Sequence, residues 1–201
     1  MDQLALQGIP NSLQWTNQPV EWKRSSGEKL IIKAGAMTDW FIDPAGNYTK
    51  SSAPYLTFRT TDDRFMLSAK VSVNFNSMYD AGGLVIYKMD DLWAKLAFEY
   101  SRQLEPTIVS VVTRSISDDC NSVIIDSNII YLRISHIPKI VAFHYSLDGQ
   151  YWHLVRYFSL VESFEVRAGF ISQSPTGDGC QVEFSEIKYI LGSLKDYRSG
   201  E

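Results

Sequence analysis

From residue 65 to residue 76 the chain alternates, with Phe65, Leu67, Ala69, Val71, Val73 and Phe75 on one parity and mostly polar residues on the other. Successive side chains of an extended backbone point to opposite faces, so this period of two predicts a long half-buried strand. It places Phe65, Leu67, Val71, Val73 and Phe75 on an inner face. Residues 81–88 and 92–100 read as further strands, with Met89-Asp90-Asp91 as the turn between them, and the three segments form a meander. More strands are expected at 108–113, 129–136, 140–145, 151–158, 164–172 and 181–190, and short ones at 20–24 and 29–33, parted by Ser25-Ser26-Gly27. Ser146-Leu147-Asp148-Gly149-Gln150 carries an Asp-Gly signal and predicts a hairpin with Gly149 at positive φ, joining 140–145 to 151–158. The polar tail, residues 194–201, is expected to fray.

No segment keeps a helical period over three turns. Regularly spaced strands separated by Gly, Asn, Asp and Pro indicate a sandwich or a barrel, and roughly a dozen of them suit two packed sheets better than one small barrel. The expectation is an all-β chain: one two-sheet antiparallel β-sandwich domain over residues 1–201, with its core at about 20–192.

Composition is compatible with this. With 45% hydrophobic and 13% aromatic residues the chain can fill a core. A net charge of −4 gives no general attraction to a nucleic-acid backbone or an anionic membrane, so neither is an expected partner. No apolar run approaches the length of a spanning helix, and Met1-Asp2-Gln3-Leu4 lacks the basic-then-apolar pattern of a secretion signal, which points to the cytoplasm. Cys120 and Cys180 lack the close spacing of a zinc or redox motif and read as free thiols; a bridge between them would instead argue for an oxidising compartment.

Several phrases occur together in order: Thr38-Asp39-Trp40-Phe41 with Asp43-Pro44, Gly82-Gly83-Leu84, Trp93-Ala94-Lys95 with Glu99, Tyr145-Ser146-Leu147-Asp148-Gly149-Gln150-Tyr151-Trp152, and Arg167-Ala168-Gly169-Phe170 with Gln173-Ser174-Pro175. In this combination, over roughly residues 22–190, the chain resembles the domain of unknown function 1349 family, which includes fungal proteins named "regulation of enolase". The resemblance implies the concanavalin A-like lectin/glucanase jelly roll. Relatives of that fold include lectins, glycoside hydrolases and sandwich modules attached to xylosidases. It implies a tendency toward sugars and brings no catalytic residues with it, and a fold does not fix a function.

Within residues 92–100, Trp93, Lys95, Ala97 and Glu99 share one face, and Ala94, Leu96, Phe98 and Tyr100 the other. On the architecture that the resemblance implies, the first face lies on the concave sheet. There an indole can cover a sugar's C–H face while charged groups bond its hydroxyls. The alternative is a surface Lys95–Glu99 pair beside a packing Trp. Tyr87, Arg133 and His144 are candidate neighbours from adjoining strands, so the ligand-binding set is Trp93, Lys95, Glu99, Tyr87, Arg133 and His144, with Glu99 the candidate acid or base. Gly82 and Gly83 mark either a bulge or the close approach of a ligand, the bulge being preferred.

The remaining motifs argue against particular chemistries. The alternating Glu-x-Asp-x-x-Glu strand of the glucan-hydrolysing relatives is absent, for Ser101 stands two residues after Glu99, while Asp90-Asp91 and Asp118-Asp119 read as turns. His136, His144 and His153 lack helical zinc spacing, and Asp39, Asp43 and Asn47 suit turn capping better than a calcium loop, so no metal or cofactor is expected. The loop from Ser174-Pro175 to Gly177-Asp178-Gly179, with Gln173 at its mouth, either gates a groove or turns a corner. Three functional readings remain open: a carbohydrate-binding or sugar-linked accessory domain, an enzyme acting on a small sugar or sugar acid through Glu99, and a regulatory protein-binding sandwich.

Overall fold

A computed structural model describes residues 4–25, 29–160 and 165–201. Among these, sixteen strands and no helix occur: β1 (Gln14–Thr16), β2 (Glu21–Arg24), β3 (Leu30–Gly35), β4 (Trp40–Ile42), β5 (Thr49–Ser51), β6 (Tyr55–Arg59), β7 (Phe65–Asn74), β8 (Ala81–Met89), β9 (Leu92–Tyr100), β10 (Pro106–Arg114), β11 (Ile116–Ile124), β12 (Ile129–Ile137), β13 (Ile140–Ser146), β14 (His153–Ser159), β15 (Arg167–Gln173) and β16 (Gly179–Leu191). The first large sheet has the order β1-β6-β15-β8-β9-β10-β11, the second β14-β13-β12-β7-β16-β3-β2, and β4-β5 form a separate hairpin. Every pairing within the sheets is antiparallel. The molecule is an all-β jelly-roll sandwich.

The alternation in β7 does what its period requires. Phe65, Leu67, Val71 and Val73 are buried while their neighbours are half-exposed, and Phe75, just past the strand, packs edge-on against Phe98 at 5.1 Å. From the first sheet, Leu84, Ile86, Leu96, Phe98, Ile108 and Phe170 meet this layer. Each such side chain, fully withdrawn from water, contributes about 1.5–3 kcal/mol. The second sheet's inner face therefore follows from its sequence pattern.

In the first sheet, β8, β9 and β10 are buried on both faces, so they show continuous apolar runs in place of alternation. The outer face has its own apolar cluster, in which Trp40 from β4 meets Tyr55, Val85, Trp93 and Ile171. The hairpin β4–β5 thus lies over this sheet.

Gly149 takes φ +76 in the turn between β13 and β14, as the Asp-Gly signal predicts. Asp148 Oδ1 accepts from Gln150 N at 2.8 Å and Tyr151 N at 2.9 Å, bonds that hold its carboxyl below the usual range. These turn bonds occupy Tyr151, and the strand resumes only at His153. Cys120 is exposed, Cys180 is buried, and neither is bridged.

Several expectations are corrected. Asp118 and Asp119 are strand residues of β11, paired with Val112 and Val111. This edge strand is polar on both faces and has no alternation to reveal it. Gly82 and Gly83 mark no bulge, since the irregularity in β8 falls between Tyr87 and Met89. A Cβ on Gly82 would stand 2.3 Å from Val182 Cγ1 of the opposite sheet, so the glycine permits the sheets to approach. Residues 194–201 are held on the second sheet's outer face, where Arg133 Nη2 donates to Gly200 O at 2.8 Å and His144 Nε2 to Tyr197 O at 2.9 Å. Main-chain carbonyls make those contacts, which composition cannot announce. The turn at Ser26-Gly27 and the start of the expected strand at Phe164 lie outside the described residues.

Candidate functional site

Strand β9 runs through the middle of the first sheet's outer face and presents Trp93, Lys95, Ala97 and Glu99 there, the parity expected. Across the sheet, Glu99 stands beside Ala81 and Thr107, and Lys95 beside Val85 and Val111, with Asp119 of β11 one strand further. Small and apolar neighbours leave the two charged side chains room. The hairpin β4–β5 covers one end of this surface and leaves a cavity of about 460 Å³ at the other, into which Asp39, Lys95, Glu99, Asp119 and Gln173 face together with Phe41, Tyr48 and Tyr79. That volume lies within the roughly 300–1,000 Å³ of small-molecule sites.

Lys95 is almost wholly buried. Its Nζ donates to Trp40 O at 2.7 Å and Gln173 Oε1 at 2.8 Å, with Asp39 Oδ1 at 3.9 Å. Burial lowers its pKa, and Asp39, followed by Glu99 and Asp119, opposes that shift. Two acceptors and a carboxylate around one nitrogen match an ammonium whose donors are committed to the protein. Lys95 is therefore the bolt between hairpin, sheet and loop, and no surface ion pair.

Glu99 differs. No hydrogen bond reaches its carboxyl among the described residues, and it opens on the cavity. Burial pushes its pKa up to about 8, reinforced by Asp39 and Asp119 and opposed by Lys95. A pKa near 8 favours the protonated carboxyl at neutral pH, which can both donate and accept. Tyr48 at the rim is pushed up to about 12, first by burial and then by the charge of Asp39. Two cavity residues, Met37 at φ +57 and Tyr79 at φ +69, hold left-handed backbone that side chains other than glycine rarely adopt.

Of the six predicted site residues, only Lys95 and Glu99 line the cavity. Trp93 shares their face but is fully buried, with Trp40 stacked on it at 3.9 Å and stacked in turn on Tyr55 at 4.3 Å, so its indole offers no plate to a sugar. Tyr87 lies at the covered end and donates to Asp90 Oδ1 at 2.8 Å. Arg133 and His144 are cross-strand partners on the outer face of the second sheet. Parity within a strand assigns a face, but it cannot assign a strand to a sheet.

Asp43 caps a turn as expected, accepting from Ala45 N and Asn47 N. Asp39 also bonds a local amide, Trp40 N, and in addition enters the cavity. Among the described residues no three His, Cys, Asp or Glu stand together as metal ligands. The 174–178 loop supplies Pro175 and Thr176 to the cavity wall, and Ser174 N to Thr38 O at 3.1 Å ties it down. Sequence reasoning missed Asp119, Tyr48 and Tyr79. A polar edge strand, a hairpin tip and a positive-φ corner carry no periodic signal.

Residues 15–190 match the family described as "Protein of unknown function (DUF1349)". The chain belongs to this family. It is 25% identical over 173 residues to "Regulation of enolase protein 1" of Saccharomyces cerevisiae, covering 86% of each protein. A solved structure of a functionally unknown Saccharomyces cerevisiae protein superposes with a TM-score of 0.84 at 24% identity, over 90% of this chain and 97% of that one. The GH43 protein BlXynB of Bacillus licheniformis matches at TM-score 0.74 and 14% identity, over 90% of this chain but only 37% of its own. The alginate lyase of Klebsiella pneumoniae matches at 0.54 and 12%, over 85% and 84%. At these identities the solved structures show a shared sandwich fold.

Proposed function

We propose that the chain is a carbohydrate-recognition domain that takes a small neutral saccharide into the cavity between the hairpin β4–β5 and β9. The observation that carries this is the contrast between a committed Lys95 and a Glu99 carboxyl that no hydrogen bond holds among the described residues, in a cavity with aromatic walls. The unbonded carboxyl suits a sugar hydroxyl, and Phe41, Tyr48 and Tyr79 suit C–H faces. Lys50, donating to Met37 O, and Lys95 balance Asp39 and Asp119, so with Glu99 protonated the cavity offers an anion no net attraction. The glycoside-hydrolase and lyase neighbours support a sugar ligand only through the fold they share.

A second reading, an enzyme acting on a sugar, is favoured by one observation: a carboxyl with a pKa near 8 in a cavity is poised to exchange protons at neutral pH. Thermal-shift screening against neutral saccharides and uronic acids separates these readings. A ligand at a hundred times its Kd adds about 2.7 kcal/mol. The expected result is stabilisation by a neutral sugar without product, weakened in Glu99→Gln. Product formation that Glu99→Gln abolishes selects the enzyme, and stabilisation by uronic acids alone rejects the neutral-ligand assignment.

A further inference from the structure

The same outer face has a second, chemically opposite corner. In the row where β9 presents Trp93, β8 presents Tyr87, β15 presents Arg167 and β6 presents Arg59. Arg59 and Arg167 are direct cross-strand partners, so two guanidinium groups stand side by side on one face. Like charges in that position repel, and sheets avoid them unless something neutralises them. No carboxylate forms an ion pair with either among the described residues.

Arg167 is half-buried and oriented: Nε donates to Thr57 Oγ1 at 2.9 Å, and Nη2 to Gln14 Oε1 at 3.0 Å and Thr57 O at 3.1 Å. Burial and the neighbouring Arg59 both lower its pKa. Arg59 is exposed, and its guanidinium makes no hydrogen bond among the described residues. Both line a recess of about 180 Å³ with Asn11, Ser12 and Gln14, with no acidic side chain among the described residues that line it. Asn11 Nδ2 is turned to Arg59 O at 2.8 Å, and Arg167 holds the Gln14 carbonyl, which leaves the Gln14 amide nitrogen and the Ser12 hydroxyl as further donors.

We infer that this recess binds a tetrahedral oxyanion, the phosphoryl group of a phosphate monoester, separately from the saccharide cavity. The stoichiometry of charge and shape selects it. The free donors are the Arg59 fork and the Arg167 Nη1, since Arg167 Nε and Nη2 are committed to Thr57 and Gln14. Beside two positive charges they suit three acceptor oxygens carrying two negative charges, which a phosphate supplies, whereas a carboxylate has two oxygens and one charge and satisfies the Arg59 fork alone. The recess holds the phosphoryl end only, so the rest of the ligand extends into solvent.

Titration calorimetry of the full chain with inorganic phosphate tests this at about pH 8, where the dianion dominates, with ionic strength held constant by potassium chloride. Saturable binding is expected, with Kd raised about tenfold or more in Arg59→Ala, partly restored in Arg59→Lys and unchanged in Glu99→Gln. Acetate is expected to bind at least about tenfold more weakly than phosphate. Because Arg59 is exposed, unbonded and repelled by Arg167, Arg59→Ala keeps or slightly raises the melting temperature without phosphate. No saturable phosphate binding, equal binding by Arg59→Ala, or acetate binding as tightly as phosphate overturns the inference. Loss of phosphate binding in Glu99→Gln also overturns it, by locating the ion in the other cavity.

Discussion

Both large sheets have their outer faces covered by a segment that belongs to neither, and the coverings treat buried charge differently. On the first sheet the hairpin β4–β5 anchors through Trp40 and stands off the β9–β11 end, so Glu99 opens on a cavity. On the second, residues 194–201 lie directly on the strands. Arg133 stacks over Trp152 at 4.2 Å and bonds Gly200 O, while His144 is fully buried against Tyr197 O. Yet among the described residues Arg133 Nε, Ser135 Oγ and His144 Nδ1 on that face have no hydrogen-bond partner. A covering that packs tightly leaves polar atoms unpaired and no room for a ligand; one held off by a stacked aromatic leaves space that a ligand can fill.

Removing the anchor should have the largest effect. Trp40→Ala deletes the ring stacked on Trp93 and Tyr55 and should cost about 3–5 kcal/mol in urea unfolding, while exposing Trp93 to fluorescence quenchers. A cost below about 1 kcal/mol would mean that the hairpin is held elsewhere. Lys95→Met should cost about 3 kcal/mol, since it strips Asp39, Gln173 and Trp40 O of their shared donor. It should also move the titration of Glu99 further up, because Lys95 is the group that lowers it.

Deleting residues 194–201 should cost less, about 1–2 kcal/mol for two hydrogen bonds to main-chain carbonyls. It should let the His144 imidazole, pulled down to about 4 by burial and by Arg133, return toward its ordinary value. An unchanged NMR titration of His144 would show that the tail is not what desolvates it.

The sharpest contrast is in pH dependence. The Glu99 carboxyl has a folded pKa above its unfolded value, so its contribution to stability is fully present below about pH 4.5 and is lost as pH rises through about 8. His144 has a folded pKa below its unfolded value, so its contribution is present above about 6.5 and is lost as pH falls through about 4. Melting temperature against pH should therefore flatten on the alkaline limb in Glu99→Gln and on the acid limb in His144→Gln. The same flattening in both variants would remove the distinction between the two faces.

Much of the sandwich is legible in short-range patterns. The parity of residues 65–75 assigns an inner face, and Asp148-Gly149 assigns a hairpin, because both depend on the geometry of a few consecutive residues. The same parity puts Lys95 and Glu99 on one face of β9. It goes no further, since Trp93 obeys the rule equally and is sealed under Trp40, a residue 53 positions away in the chain. Strands β12 and β13 could pair into either sheet without altering a single local preference, and only long-range pairing with β7 sends Arg133 and His144 to the far face. Local periodicity is an energy of one strand against water, and the sequence carries it in full. The cavity, the raised pKa of Glu99 and the opposed arginines arise from side chains that meet across strands. Those meetings depend on which surfaces the whole chain removes from solvent together, and this is settled by packing.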